Sequence, residues 1–301
     1  MRSATAARIP SLLRRECCNV GVERTPKDFF LKFLKHLTLI IASFACLLPL
    51  ISCVFAAFKT KEEFGLTSKV APPENWLHLD NFINFWNDSG IGQGFLTSIG
   101  VMLITIVISV MLGSMLAYVL DRFKFRGNAL IRNAFTLASL IPGLAMQVTI
   151  YKMMSNLNLV DSLPGYILMM AGTDVISIYI LLQYFENLPT ALDESAIIEG
   201  CTYYGVFFRI LMPLLRPAMV TCMILKGVGI YNEYYNANLY LQNKKLYKTV
   251  STALYTYLGP TKSQYEIICA GVLICTLPIL IIFILFQKQI YNGMTNGAVK
   301  G

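Results

Sequence analysis

The sequence predicts an all-α polytopic membrane protein with six transmembrane helices. Three observations predict it: a composition rich in apolar and poor in charged residues, a series of uncharged stretches long enough to cross a bilayer, and an uneven distribution of Lys and Arg between those stretches. Of the 301 residues 55% are hydrophobic and 14% charged, which is more apolar surface than a soluble core can hide. Crossing about 30 Å of hydrocarbon takes about 20 apolar residues at a rise of about 1.5 Å each.

Taken in order, residues 1–35 are basic and form an N-terminal arm, and the uncharged residues 36–58 form span one. That span is too long for a secretory signal and is not followed by a small-residue cleavage pattern. Residues 98–120 form span two, with the Gly- and Gln-containing residues just before it assigned to the interface. Residues 133–151 form span three, where Pro142 predicts a kink, and residues 163–185 form span four, interrupted by Asp174. Residues 211–234 form span five, carrying Lys226 and ending near Glu233, and the uncharged residues 267–286 form span six. The membrane domain is thus 36–290, and residues 291–301 are a C-terminal tail.

Sixteen Lys and Arg residues fall on the side of the two termini and eight on the other, which puts both ends in the cytoplasm. The net charge of +8 lies beside apolar spans, a pattern of topology and lipid contact, and nucleic acid is excluded as a partner. Of eight cysteines, Cys46, Cys53, Cys222, Cys269 and Cys275 lie in spans and Cys17, Cys18 and Cys201 face the cytoplasm, with no C-x-x-C spacing. His36 and His78 are not spaced as metal ligands, so no metal and no catalytic residues are assigned. The nearest approach to a phosphate loop, residues 259–263, lacks a glycine directly before Lys262. Uphill transport by such a chain would draw on an ion gradient or on another polypeptide.

The loop 186–217 points to the second. Pro189 suits a first helical turn, Asp193 and Glu194 lie near the positive end of the helix dipole, Gly200 can end the helix in a left-handed conformation, and Thr202 can cap the next one. A cytoplasmic helix, a glycine turn and a second helix running into span five are expected.

The run Glu194-Ser195-Ala196-x-x-Glu199-Gly200, followed by Phe207, Ile210, Pro213, Leu214 and Pro217, resembles the EAA loop of binding-protein-dependent ABC importer permeases, with Ser195 and Glu199 replacing the usual Ala and Asp. Residues 117–127, containing Ala117-Tyr118, Arg122, Phe125 and Gly127, resemble the signature after the second span of the carbohydrate-uptake branch. Tyr231-Asn232-Glu233-Tyr234 is similar to that branch's Trp-Asn-Glu-Phe, and residues 293–301 resemble the tail of the maltose importer's smaller permease. The resemblance covers about residues 35–301 and implies the type I ABC importer fold with a cytoplasmic coupling helix between spans four and five. It implies a bacterial inner-membrane permease for a sugar, working with a second homologous permease, two ATP-binding cassette subunits and an extracellular solute-binding protein. ATP and Mg would be held by the cassettes, with no cofactor on this chain.

By the same resemblance, Glu194, Ser195, Ala196, Glu199, Gly200, Phe207 and Pro213 couple the chain to the ATPase, and Gly297, Val299, Lys300 and Gly301 reach toward it. For the substrate pathway the residues themselves suggest Asp174, costly at about 2.5–3.5 kcal/mol if it faced lipid, and Tyr231, Asn232, Glu233 and Tyr235. Rings for sugar C–H faces and amides or carboxylates for hydroxyls suit a saccharide, although tyrosines also form interfacial belts. An ion-coupled secondary transporter using Asp174, Glu233 and Lys226 remains an alternative, as does an ABC permease for a non-sugar solute.

Overall fold

The computed structural model describes residues 26–172, 174–258 and 263–298. Residues 1–25 of the basic arm, residues 259–262 of the phosphate-loop near-match, and Val299, Lys300 and Gly301 of the tail lie outside the described residues. By internal packing the chain divides into residues 1–51 and 52–301. Helix α1 (Pro26–Ala57), whose residues up to Ile51 belong to the first unit, starts at a proline, whose missing N–H is harmless in a first turn, so residues 26–35 of the expected arm are helical.

The second unit adds α2 (Lys61–Leu66), α3 (Asp80–Asp88), α4 (Ile91–Arg122), α5 (Asn128–Ser139), α6 (Gly143–Asn156), α7 (Leu163–Met170) and α8 (Val175–Glu186). After these come α9 (Ala191–Ile198), α10 (Tyr203–Gly205), a π-helical turn Val206–Leu211, α11 (Met212–Leu214), α12 (Arg216–Asn232), α13 (Tyr235–Tyr240), α14 (Val250–Leu254) and α15 (Tyr265–Ala298). Residues 32–57, α4 and residues 265–287 are each long and apolar enough to cross a bilayer alone. Three bent pairs meet the same test jointly, which makes up to six crossings. Among the described residues there is no strand.

The bends correct several expectations. Span three is not one kinked rod: α5 and α6 meet at 102°, because Pro142 donates no N–H and takes an extended ψ of 121°. Span four is divided into α7 and α8 at a bend of 48°. The second helix of the hairpin does not run straight into span five, since residues 203–214 meet α12 at 77°. Pro213 and Pro217 lie in the first turns of α11 and α12, where a proline starts a new helical segment readily and cannot continue the one before it.

Span two begins earlier than its composition suggested. Gly94 and Ser98 serve close packing: a Cβ on Gly94 would lie 3.2 Å from the Thr249 carbonyl, and Ser98 Oγ accepts from the Val250 N–H at 2.9 Å. The last helix continues through Ala298, beyond the apolar segment that ends at Gln287, so residues 291–298 of the expected tail are helical.

α4 is the axis of the core, packing against both α8 and α12 in a cluster that contains Val110 and Ala117 of α4, Leu181 and Phe185 of α8, and Ala218 and Cys222 of α12. The loops opposite the hairpin are held by polar ties. Lys59, 1% exposed, donates from Nζ to Thr67 Oγ1 at 2.8 Å and to the Ser68 carbonyl at 3.0 Å. Lys244 donates to the carbonyls of Ala237 and Leu241 at the end of α13, and burial lowers its pKa while Asp161 acts against that shift. The Tyr257 hydroxyl donates to the Asn84 carbonyl and to Asp88, and its pKa is pushed up to about 12, by burial first and then by the Asp88 charge.

Candidate functional site

The hairpin between α8 and the 77° bend is built as its residues dictate, with one adjustment. Pro189 lies just before the Thr190 cap, so α9 begins at Ala191 and Asp193 and Glu194 occupy its first turn. The helix ends in a paired backbone motif: Gly200 donates to the Ile197 carbonyl and Cys201 to the Ala196 carbonyl, both at 2.9 Å. Gly200 has φ +86°, a conformation open to glycine at little cost. Thr202 Oγ1 then accepts from the Gly205 N–H at 3.2 Å and starts α10.

Burial divides the candidate coupling residues into two faces. Ala196 and Phe207 point inward, and the Phe207 ring sits 5.4 Å from Tyr118 of α4 in the core cluster. Glu194, Ser195, Glu199 and Pro213 are exposed, beside Ile198 at 86% and Tyr204 at 73% exposure. A protruding face that combines carboxylates with bare apolar side chains is poorly suited to water and well suited to a protein partner.

Two residues that the signature 117–127 and the loop 186–217 contain, but that neither marks as a coupling residue, hold this hairpin to the bundle. Arg122, the last residue of α4, places Nε 2.5 Å from Asp193 Oδ2 of α9, with only 9% and 11% of the two side chains exposed. The same guanidinium donates from Nη2 to the Leu188 carbonyl at 2.9 Å, from Nη1 to the Phe185 carbonyl at 3.4 Å, and to Asp121 Oδ2 at 2.6 Å. It therefore fastens the ends of α4, α8 and α9 together. The Nε to Asp193 contact is short but not aligned as a hydrogen bond, and Asp193 Oδ1 is buried without a hydrogen-bond partner among the described residues. Arg132 reinforces the junction, donating to the Leu120 carbonyl at 2.9 Å and pairing with Glu186 at 3.4 Å. The available signal was that one motif contains Arg122 and that a carboxylate, Asp193, directly precedes the Glu194 with which the other begins.

Asp174 is not in the middle of a helix. It caps α8, with Oδ2 accepting from the Ser177 N–H at 3.2 Å. A short carboxylate competes well for the orphan N–H groups of a helix start, which is why the chain breaks here. Lys226 of α12 and Ser109 of α4 both donate to the Gly172 carbonyl on the other side of the break, at 2.9 and 3.1 Å. Asp174 and Lys226 are close without forming a direct ion pair, and Asp174 Oδ1 has no hydrogen-bond partner among the described residues.

The tyrosine cluster is also divided. Tyr231 is buried and donates to the Cys275 carbonyl at 2.8 Å, and Glu233 Oε1 accepts from the Asn236 N–H at 2.9 Å, holding the start of α13. Asn232 and Tyr235 are exposed. A cavity of about 300 Å³ brings Tyr231 and Asn232 together with Tyr234, Ser251, Tyr255 and Thr276, and leaves out Asp174, Glu233 and Tyr235. Tyr234 and Tyr255 are stacked there at 3.9 Å. A neighbouring groove of about 350 Å³ between α4, α12 and α15 is lined only by apolar side chains and glycine around Tyr231, and offers a sugar hydroxyl nothing to bond. Gly297 lies within α15, and its three companions in the tail assignment are beyond the described residues.

Comparison with known proteins fits this geometry. Residues 109–296 match the family described as binding-protein-dependent transport system inner membrane component. The arabinooligosaccharides transport system permease protein AraQ of Halalkalibacterium halodurans is 31% identical over 263 residues, covering 86% of this chain and 93% of that protein. The diacetylchitobiose uptake system permease protein NgcG of Streptomyces coelicolor is 27% identical over 269 residues, covering 89% and 88%. A chain of a bacterial ABC transporter involved in importing the acidic polysaccharide alginate superposes with a TM-score of 0.77 at 17% identity, over 88% of this chain and 98% of that one. A match running from the middle of α4 through α15, over the hairpin and its Arg122 anchor, settles the assignment: this chain belongs to the binding-protein-dependent transport inner-membrane components, the permease subunits of ABC importers.

Proposed function

We propose that this permease forms half of the translocation pathway of an ATP-driven oligosaccharide importer and takes up mechanical work through the hairpin 186–217. The observation that carries the proposal is the exposed face of α9 and α10, where Glu194, Ser195 and Glu199 adjoin Ile198 and Tyr204 outside the apolar spans. Glu194 makes the charged contact to a cleft in the ATPase subunit, Ala196 and Phe207 seat the helix on the bundle, Gly200 makes the turn, and Pro213 helps set the bend. Both termini and the hairpin are cytoplasmic, as the excess of Lys and Arg on that side favours.

The complete machine contains a second homologous permease, two ATP-binding cassettes and an extracellular binding protein. ATP and Mg belong to the cassettes, and this chain has no nucleotide site of its own. Gly297, Val299, Lys300 and Gly301 extend toward the ATPase. The sugar assignment is supported by relatives named for arabinooligosaccharides, diacetylchitobiose and melibiose, raffinose and stachyose. The surface offered to the sugar is the cavity around Asn232, Ser251, Thr276 and the Tyr234–Tyr255 stack, while Tyr231 and Glu233 shape it through their hydrogen bonds.

Reconstitution of the chain with its permease partner, cassettes and binding protein tests this reading. ATP-dependent uptake of an oligosaccharide is expected. Uptake by the chain alone, driven by an ion gradient through Asp174 and Lys226, would replace it with a secondary transporter.

A further inference from the structure

We infer that Arg122 is a positioning residue for transport, the side chain through which the coupling helix α9 moves the ends of spans two and four. This rests on the permease reading and specifies its mechanical route. Besides the apolar seating of Ala196 and Phe207 on the core, which is non-directional, conformational work entering at α9 has two directional ways into the bundle. One is along the chain into α12, and it is interrupted repeatedly: a left-handed Gly200, the π-helical turn Val206–Leu211, Pro213, and a 77° bend before α12. Each interruption is a place where backbone torsion can absorb displacement. The other is across space, from Asp193 to Arg122, and it is short and buried.

The guanidinium points in several directions at once, toward Asp193 on α9, the Phe185 and Leu188 carbonyls after α8, and Asp121 on its own helix. A planar fork with five donors can hold all of these in fixed relative positions, and an ammonium on a flexible stem cannot. Burial keeps the pair from being screened by salt or loosened by water. The Leu120 carbonyl, one turn or less behind Arg122, is itself held by Asn128 Nδ2 at 2.8 Å and Arg132 Nη2 at 2.9 Å, so the end of α4 resists local fraying. Displacement of α9 is therefore handed to α4 and α8, the two helices that frame the core, before it reaches α12.

The test uses the complete importer in proteoliposomes, with Arg122→Lys and Asp193→Asn compared with the unaltered chain. Both substitutions keep size, and the first keeps charge. ATP hydrolysis and sugar uptake are measured on the same preparation, together with retention of the cassettes on purification. Retained cassettes and continued hydrolysis are expected, with sugar moved per ATP falling about 10-fold, inside the 5–150-fold range usual for coupling between sites. An unchanged ratio in both variants would overturn the inference. So would parallel loss of cassettes, hydrolysis and uptake in both, because that is the behaviour of a brace needed only for assembly. Failure of the unaltered chain to retain cassettes would instead count against the permease reading itself.

Discussion

At the end of α4, Arg122 meets a carboxylate at 2.5 Å and two main-chain carbonyls. At the break between α7 and α8, by contrast, Lys226 reaches a carbonyl and Asp174 caps a helix without the two charges meeting. Both places bring opposite charges into a largely apolar bundle, yet only the first joins three helix ends into one unit. A charge within a membrane chain is thus placed first by the helix ends that need it. Arg122 satisfies orphan carbonyls after α8, Asp174 satisfies orphan N–H groups at its start, and coupling is added where a partner of opposite sign lies at the same end.

The comparison can be broken by stability measurements on the purified assembly. Asp193→Ala should have the largest effect, about 2–3 kcal/mol of destabilisation, because the buried Arg122 loses its charged partner on α9 while Asp121 still compensates part of its charge. Gly200→Ala should cost roughly 1–2 kcal/mol, since φ +86° forces a Cβ into the left-handed region, and the loss should appear as faster amide exchange confined to the hairpin. Asp174→Ala should cost about 1 kcal/mol for the lost cap, and Asp174→Asn should recover most of it because an amide oxygen also accepts from Ser177. Tyr231→Phe should be the mildest, about 1 kcal/mol or less from the lost hydrogen bond to Cys275. If Asp174→Ala proved as damaging as Asp193→Ala, the break would be a charge-paired junction like the first and the contrast would fail.

Much of this was legible in the sequence for a physical reason: hydropathy and backbone chemistry are local. Uncharged stretches marked the crossings, Gly200 marked a left-handed turn, and Thr202 marked a cap. The site was less legible where it depends on angles and distant partners. Pro142 signalled a kink, but the 102° turn depends on the extended ψ of 121° that this proline takes, which the sequence does not specify. The Asp193–Arg122 pair joins residues 71 apart in sequence, and no local pattern specifies such a contact. Glycine and serine before residue 98 suggested an interface because composition cannot tell exposure from close packing against α14.

On the proposed function, the exposed face of α9 is the cytoplasmic docking surface for an ATPase subunit. The most direct measurement places a single cysteine at Ile198, 86% exposed, in a chain otherwise free of cysteine, and labels it with a membrane-impermeant maleimide. Labelling should occur in inside-out vesicles stripped of cassettes, fall when cassettes are restored, and be absent in intact cells. Labelling from outside intact cells, or labelling in vesicles that restored cassettes leave unchanged, would contradict the account.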